Sequence, residues 1–276
     1  MEILSLSASY LKGKNVTEPR LSSEILIAHA LSCKRLDLYL KFDSLPLESD
    51  LEKIRELIRR RALHEPLQYI TGKTEFFGLE FKVDKNVLIP RQDTEGLVEK
   101  AVGLIGQRNM NILEIGTGSG CIAVSVAHKC PFVKITATDI SPGALKAASA
   151  NAVLNKVESR IRFIKHDILS NSFSEKFDMI ISNPPYIRKD VFDSLEKQVK
   201  DFEPSAALTD KGDGLTFYRR INEFLPQILN DGGHLLLEIG YDQENEVKDI
   251  YKKSLAGVII TRDLSNNPRV LSGIKI

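Results

Sequence analysis

Near the middle of the chain, the tetrad Asn183-Pro184-Pro185-Tyr186 follows the apolar run Phe177-Asp178-Met179-Ile180-Ile181-Ser182. The two prolines fix the backbone and remove two amide donors, so carbonyl groups are left free to point into a crevice. A planar NH2 group has two hydrogens to donate, and the Asn183 side-chain oxygen and the Pro184 carbonyl can accept one each. Tyr186 offers an aromatic face on which a flat group can stack. An amide nitrogen is a poor nucleophile because its lone pair is delocalised into the carbonyl. Two acceptors on its hydrogens raise the electron density at nitrogen and aim it for in-line attack on an electrophilic carbon. Orientation of this kind reaches roughly 7–11 kcal/mol in ideal cases. The bland alternative is a rigid turn, and the tetrad alone does not separate a glutamine amide from the exocyclic amine of adenine or guanine.

A second set of residues supplies the electrophile. The strand-like run Asn111–Ile115 enters Gly116-Thr117-Gly118-Ser119-Gly120, and an apolar helix follows from Cys121 to Ala127. Glycines allow a sharp turn and close approach of the backbone to a ligand. A dinucleotide fingerprint is GxGxxG, with a pyrophosphate at the helix N-terminus. Here the spacing is GxGxG, which suits S-adenosyl-L-methionine, a ligand without phosphate; a tight turn with no ligand is the alternative. Asp139 lies nineteen residues beyond Gly120, where an acid can accept both ribose hydroxyl hydrogens. A helix cap is its other reading, although Ser141 before Pro142 fills that role better. Asp167 is placed to accept from the adenine amino group, and Ile168 to pack on the ring; an acid at a strand end also serves as a cap.

The elements that must position these residues are legible in the hydrophobic pattern. From about residue 94 strand and helix signals alternate, which predicts a mainly parallel sheet covered on both faces. Only Leu264-Ser265-Asn266-Asn267-Pro268 joins the last two strand candidates, too short for a parallel crossover, so the final strand is expected antiparallel. Gly78, amid aromatic and β-branched residues, predicts a hairpin. Upstream the chain reads as helices. One starts at Pro19, with Leu21, Ile25 and Ala28 at helical spacing and His29 as a further candidate for the same face. Another carries Leu51, Ile54, Leu57 and Ile58, is capped by Ser49 or Asp50, and is stopped by Pro66. Arg59-Arg60-Arg61 reads as the solvated end of that helix, with an acidic partner or RNA as the alternative. The expected division is 1–72 helical, 73–90 a hairpin linker, and 91–276 an α/β domain.

A formal charge of +1 from 38 basic and 37 acidic side chains gives no global argument for nucleic acid. Three cysteines without ligand spacing and five scattered histidines suggest a reducing cytoplasm and no metal site. No run approaches membrane-spanning length.

Taken together, the tetrad, the loop Glu114-Ile115-Gly116-Thr117-Gly118-Ser119-Gly120, the segment EPLQYITGKTEFFGLEFKVDKNVLIPRQDTE, and the stretches DFEPSAALTDKGDGLTFYRRI and GGHLLLEIGYDQ resemble the bacterial protein-(glutamine-N5) methyltransferases. Within that family the likeness is strongest to the peptide-chain release factor glutamine-N5 methyltransferases, and it covers most of the chain from about residue 60. The resemblance implies a class I (Rossmann-like) methyltransferase sheet, a small N-terminal all-helical domain for substrate recognition and a hairpin linker. It implies class-1 release factors as protein substrate, methylated on the glutamine of the Gly-Gly-Gln motif, with no direct nucleic-acid partner. Carried onto this chain, Gly116 to Gly120, Asp139, Ile168 and Asn183 would line the cofactor site, and Asn183 to Tyr186 would hold the amide. Gln92 stands where the family's IPRPDTE segment has proline, and Ile168 where relatives often carry an aromatic residue. Arg91, Asp93 and Glu95 order the substrate edge or cap the helix beginning near Thr94, the latter being favoured. Competing readings keep the chemistry on a glutamine of a large-subunit ribosomal protein, move it to a nucleic-acid amine, or replace it with nicotinamide-dependent redox chemistry.

Overall fold

The apolar strand candidates pair into one sheet in the computed structural model, which describes residues 2–40, 47–171 and 173–276. A separate hairpin is made by β1 (Lys73–Phe76) and β2 (Leu79–Lys82). Phe77 and Gly78, both at positive φ, form the two-residue turn whose twist matches the strands. The main sheet contains β3 (Met110–Ile115), β4 (Val133–Asp139), β5 (Ile161–Lys165), β6 (Phe177–Ser182), β7 (Leu229–Glu238), β8 (Leu255–Arg262) and β9 (Pro268–Lys275). Their order is β5-β4-β3-β6-β7-β9-β8. Neighbouring pairs from β5 to β7 are parallel, and β9 runs antiparallel to both β7 and β8, as the short last connection requires.

Chain order reverses at β3, which lies between β4 and β6. Open α/β sheets bind ligands outside the carboxyl ends of the strands at such a switch point. The register makes those ends level, because Ile115 pairs with Thr138 on one side and Ser182 on the other. Side-chain hydroxyls tie the same edge together. Thr138 Oγ1 donates to the Glu114 carbonyl at 2.9 Å and Ser182 Oγ to the Ile115 carbonyl at 2.7 Å.

The N-terminal helices include α1 (Glu2–Gly13), α2 (Pro19–Ala30), α3 (Glu48–Ala62) and α4 (Leu67–Thr71). They close on a core that includes Leu11, Leu26, Ile27, Ile54 and Ile58. Three expectations about this region need correction. In α2 the buried side extends from Ser22 to Ala28, while Leu21 and Ile25 are only half-buried and His29 is exposed, because α1 and α3 both pack on it and small serines admit the close neighbours. Leu47, without a side-chain cap, precedes α3 in place of Ser49 or Asp50. The arginine run is not uniformly solvated. Arg59 and Arg60 pair with Glu56 and Glu65, but Arg61 is buried and donates to the Glu65 carbonyl at 2.9 Å and to Gln198 Oε1 at 3.3 Å.

Gln198 belongs to a returning segment. Two compact units result, Met1–Lys73 with Glu196–Phe202, and Thr74–Leu195 with Glu203–Ile276. The second is layered as helix, sheet, helix. On one face, α5 (Glu95–Ile105), α6 (Cys121–Lys129) and α7 (Pro142–Leu154) contribute Leu97, Ile122, Val126 and Ala152 to the core. On the other, α8 (Thr216–Ile228) and α9 (Glu244–Tyr251) contribute Tyr218, Ile221, Leu225 and Tyr251. Among the described residues no helix is long and apolar enough to cross a membrane, and no cluster of His, Cys, Asp and Glu is arranged to hold a metal ion.

Candidate active site

A cavity of about 470 Å³ opens at the carboxyl edge of the sheet. Its lining includes Gly116, Thr117, Gly118 and Ser119 from the loop after β3, and Asp139 at the end of β4. Asp167 and Ile168 after β5, and Asn183, Pro184 and Pro185 after β6, complete the set. Gly120 and Tyr186, also singled out in the sequence, do not line it. Gly120 ends the loop at φ 80°, and a Cβ there would come within 3.0 Å of the Ala148 methyl carbon, so it lets α6 pack on α7.

The loop is held from below. Gly116 and Thr117 both donate backbone hydrogens to the Thr138 carbonyl, at 2.9 and 2.8 Å. Gly118, at φ 55°, donates to Asp139 Oδ2 at 2.9 Å, and Ser141 N donates to Oδ1 at the same distance. Each Asp139 oxygen retains further acceptor capacity toward the cavity. Ser141 itself caps α7 by accepting from Ala144 N at 3.2 Å. A Cβ added at Gly116 or Gly118 would meet nothing within 4 Å, so the loop presents bare backbone to open space. Asp167 serves its own turn, accepting from Leu169 N at 2.9 Å and Ser170 Oγ at 2.7 Å. Ile168 is buried beside it and keeps its side chain in the cavity wall.

Beneath the loop lies a carboxyl that the sequence reading left within its strand. Glu114 is buried, accepts from Thr117 Oγ1 at 2.6 Å, and has no hydrogen-bond partner for Oε1 among the described residues. Burial, reinforced by the nearby Asp139 charge, raises its pKa to about 8. An unfolded chain releases that proton near about 4.3, so between these values the native state binds more protons than the unfolded state. The contribution to stability is full at the acidic end and falls as pH rises toward about 8. Glu114→Gln is therefore expected to flatten the decline in melting temperature over that range; an unchanged slope in thermal melts would remove Glu114 as its source.

The tetrad is fixed at both ends. Asn183 Nδ2 donates to Thr94 Oγ1 at 3.2 Å, which turns its Oδ1 away from that partner. Among the described residues, no donor engages Asn183 Oδ1 or the Pro184 carbonyl. At the far end, Gln243 Nε2 donates to the Tyr186 carbonyl at 3.0 Å, and the Tyr186 hydroxyl donates to Glu238 Oε1 at 3.2 Å. Burial and the adjacent Glu238 push the tyrosine pKa up, so the phenol keeps its proton. Its ring packs on the core formed with α8 and α9.

The favoured capping role for Arg91, Asp93 and Glu95 is not what these residues do. Thr94 precedes α5 without a side-chain cap. Arg91 pairs with buried Glu203, Asp93 pairs with Arg269 at 3.1 Å, and Glu95 accepts from Phe77 N in the hairpin turn at 2.7 Å. Glu203 also accepts from Ile89 N at 3.2 Å, so it joins the strand-free segment before α5 to the wall carrying Pro204, Ala206 and Ala207. Glu203, Gln243 and the role of Thr94 were missed because single polar residues in loops carry no spacing signal. Glu114 and Glu238 had one, an acid interrupting an apolar strand.

Two family models match the chain, the PrmC N-terminal domain over residues 2–72 and the Methyltransferase small domain over residues 97–213. The release factor glutamine methyltransferase of Fusobacterium nucleatum subsp. nucleatum is 40% identical over 275 residues, covering 98% of this chain and 77% of that protein. The protein of the same name from Chlorobaculum tepidum is 38% identical, covering 99% and 96%. The chain belongs to the release factor glutamine methyltransferase family. It is thus a methyltransferase, and its sheet has the class I, Rossmann-like form. Among solved structures, the hMettl16 catalytic domain in complex with an RNA hairpin aligns with a TM-score of 0.59 at 18% identity, covering 79% of this chain and 81% of that one. That likeness is one of fold.

Proposed function

We propose that this enzyme transfers the methyl group of S-adenosyl-L-methionine to N5 of the glutamine in the Gly-Gly-Gln motif of class-1 peptide-chain release factors. The observation that carries the reading is the orientation of Asn183: its Nδ2 is committed to Thr94, which leaves an oxygen, beside the Pro184 carbonyl, for the two hydrogens of a primary amide.

The cavity suits the cofactor. Open space over Gly116 and Gly118 admits close packing of its amino-acid part against the backbone. Asp139 would accept from the ribose hydroxyls, Asp167 would face the adenine amino group with the oxygen capacity its turn leaves over, and Ile168 would pack on the ring. Bound there, adenosylmethionine supplies an electrophilic sulfonium methyl group. The chain's own contribution is placement. Two acceptors draw the amide hydrogens back and turn the nitrogen lone pair forward, while the paired prolines keep both acceptors at fixed separation. Neither a covalent nucleophile nor a base is required before attack, since the nitrogen becomes acidic only once substituted and its proton then leaves. A release-factor substrate implies a cytoplasmic enzyme.

The test is an assay with purified enzyme, labelled adenosylmethionine and three acceptors: a class-1 release factor, a large-subunit ribosomal protein, and bulk RNA. Label is expected in the release factor and is expected to vanish when its motif glutamine is replaced by alanine. Label confined to the ribosomal protein or to RNA would overturn the assignment.

A further inference from the structure

The segment that leaves the tetrad is tied along its length to the cavity wall. Ile187 N donates to the Leu208 carbonyl at 2.9 Å and Lys189 N to the Gly212 carbonyl at 3.0 Å, and Ile187 forms a parallel bridge with Thr209. That wall is itself braced. Asp210 Oδ1 accepts from Gly212 N at 2.8 Å and Gly214 N at 3.0 Å, and Oδ2 accepts from Thr216 N at 3.1 Å. Thr209, Asp210, Lys211 and Thr216 line the cavity. Tetrad and wall meet at one side chain. Gln243, 1% exposed just before α9, donates through Nε2 to the Tyr186 carbonyl at 3.0 Å and to the Gly214 carbonyl at 3.3 Å. Its Oε1 accepts from Gly240 N at 3.0 Å.

A neutral primary amide satisfies every group at this joint. Its nitrogen carries two hydrogens, which bridge carbonyls from two separate segments, and its oxygen is left for a backbone N–H. The glycines beside it make the room. A Cβ at Gly240 would lie 2.7 Å from Gln243 Oε1, and one at Gly214, where φ is 77°, would collide with the Tyr186 carbonyl and with Gln243 Nε2. The joint is two residues away from one acceptor of the clamp. Pro184 and Pro185 have φ fixed by their rings, so the direction of the Pro184 carbonyl depends on how the backbone is held at either side. On one side Ser182 is locked in the sheet, in register with Ile115 and Leu237. On the other the backbone is held by the contact between Gln243 and the Tyr186 carbonyl.

We propose that Gln243 is a positioning residue: by joining the Tyr186 and Gly214 carbonyls it fixes the far end of the tetrad to the cavity wall and so aims the Pro184 carbonyl at the substrate amide. This rests on the clamp reading given above. The Tyr186 hydroxyl on Glu238 holds the ring, whereas Gln243 holds the backbone. The charged groups around the joint are Asp210 on the wall, Arg188 after the tetrad, and Asp242 and Glu246 on either side of Gln243 in the chain. Arg188 pairs with Asp242 at 3.4 Å and with Glu246 at 3.6 Å, and the hydrogens bridging the two carbonyls come from the uncharged Gln243 amide.

The experiment compares wild type, Gln243→Leu, Gln243→Glu and Tyr251→Phe. The last removes a buried hydroxyl that donates to the Tyr218 carbonyl at 2.8 Å, so it lowers stability near α9 without touching the joint. One readout is kcat and KM for the release-factor acceptor from about pH 5.5 to about pH 9. The other is hydrogen exchange at the Ile187 and Lys189 amides, which needs no acceptor. Gln243→Leu should lower kcat by about 10- to 100-fold, the scale of leaving buried carbonyls unpaired. It should also speed exchange at both amides while those of β6 stay protected. Tyr251→Phe should keep kcat within about threefold. Gln243→Glu carries a signature that lost stability alone does not give. Ionised, its carboxylate accepts from Gly240 N but has no hydrogen for either carbonyl; protonated, it donates to one of them. Burial beside two carbonyls holds that carboxyl above its usual value of about 4.3. Its kcat relative to wild type should therefore rise as the pH falls, whereas the deficit of the leucine variant stays level. Equal losses in Gln243→Leu and Tyr251→Phe would overturn the proposal, as would unchanged exchange at Ile187 and Lys189 or a glutamate deficit as level with pH as that of leucine. A wild-type enzyme that methylates no glutamine, with exchange at the two amides still governed by Gln243, would sink the clamp reading instead and leave the joint standing.

Discussion

Asn183→Ala is expected to lower kcat by about 10²–10³-fold, the range seen when one preorganised hydrogen-bonding group is removed from a reacting centre. The substitution removes the oxygen left free by the Thr94 contact while leaving the prolines and the Pro184 carbonyl in place. One amide hydrogen would then lose its acceptor, and the nitrogen would be free to rotate about the remaining bond. The binding energy of the rest of a protein substrate would persist, so KM should change far less than kcat. Cofactor affinity should also move only modestly, because the loop backbone and Asp139 are untouched. Asn183→Asp is the sharper control. It keeps an acceptor and nearly the same shape but has no hydrogen for Thr94 when ionised, and it introduces charge near buried Glu238. A low kcat in both variants supports the amide, with its particular donor and acceptor, as the active feature. Wild-type turnover in Asn183→Ala would remove the mechanistic case for the clamp.

Much of this arrangement was legible in the sequence because it depends on local rules. Strands alternating with helical runs led to the parallel sheet, a five-residue link forced the last strand antiparallel, and the sheet's switch point brought Gly116–Ser119, Asp139 and Asn183 to one cavity. What escaped was set by partners distant in the chain. Arg61 looked like any helix-end cation, yet its environment is made by Ser22 and Gln198. Arg91, Asp93 and Glu95 sit where caps belong, but each finds a stronger partner in Glu203, Arg269 or the Phe77 amide. Asn151 had no motif around it at all. Buried on α7, it exchanges hydrogen bonds with the Lys82 backbone and donates to the Ser119 carbonyl, stitching the hairpin to the glycine loop. Tertiary hydrogen bonding of isolated polar side chains leaves no periodic trace. The exception is an acid inside an apolar strand, as at Glu114 and Glu238, where the cost of burial itself marks the position.

The second large effect is expected at Asp139. Its two oxygens already accept from Gly118 N and Ser141 N, and the proposed ribose contacts would use the remaining lone pairs. Asp139→Ala therefore acts twice: it removes acceptors for the ligand, and it strands the Gly118 amide that gives the loop its shape. A hydrogen bond to a charged group is worth about 1.5–3 kcal/mol, so losing the ribose contacts alone should weaken adenosylmethionine binding by about 10²-fold, measured by titration calorimetry. Turnover at saturating cofactor should fall much less, because Asn183 and Pro184 are carried by β6 and not by this loop. Asp139→Asn separates the two roles. It keeps one oxygen, which can remain with Gly118 N, but its NH2 group cannot accept from a hydroxyl. Affinity intermediate between wild type and alanine, with the loop's protection from hydrogen exchange preserved, would assign the larger share to direct ligand contact. Alanine and asparagine variants that both bind as tightly as wild type would show that the ribose is held elsewhere in the cavity.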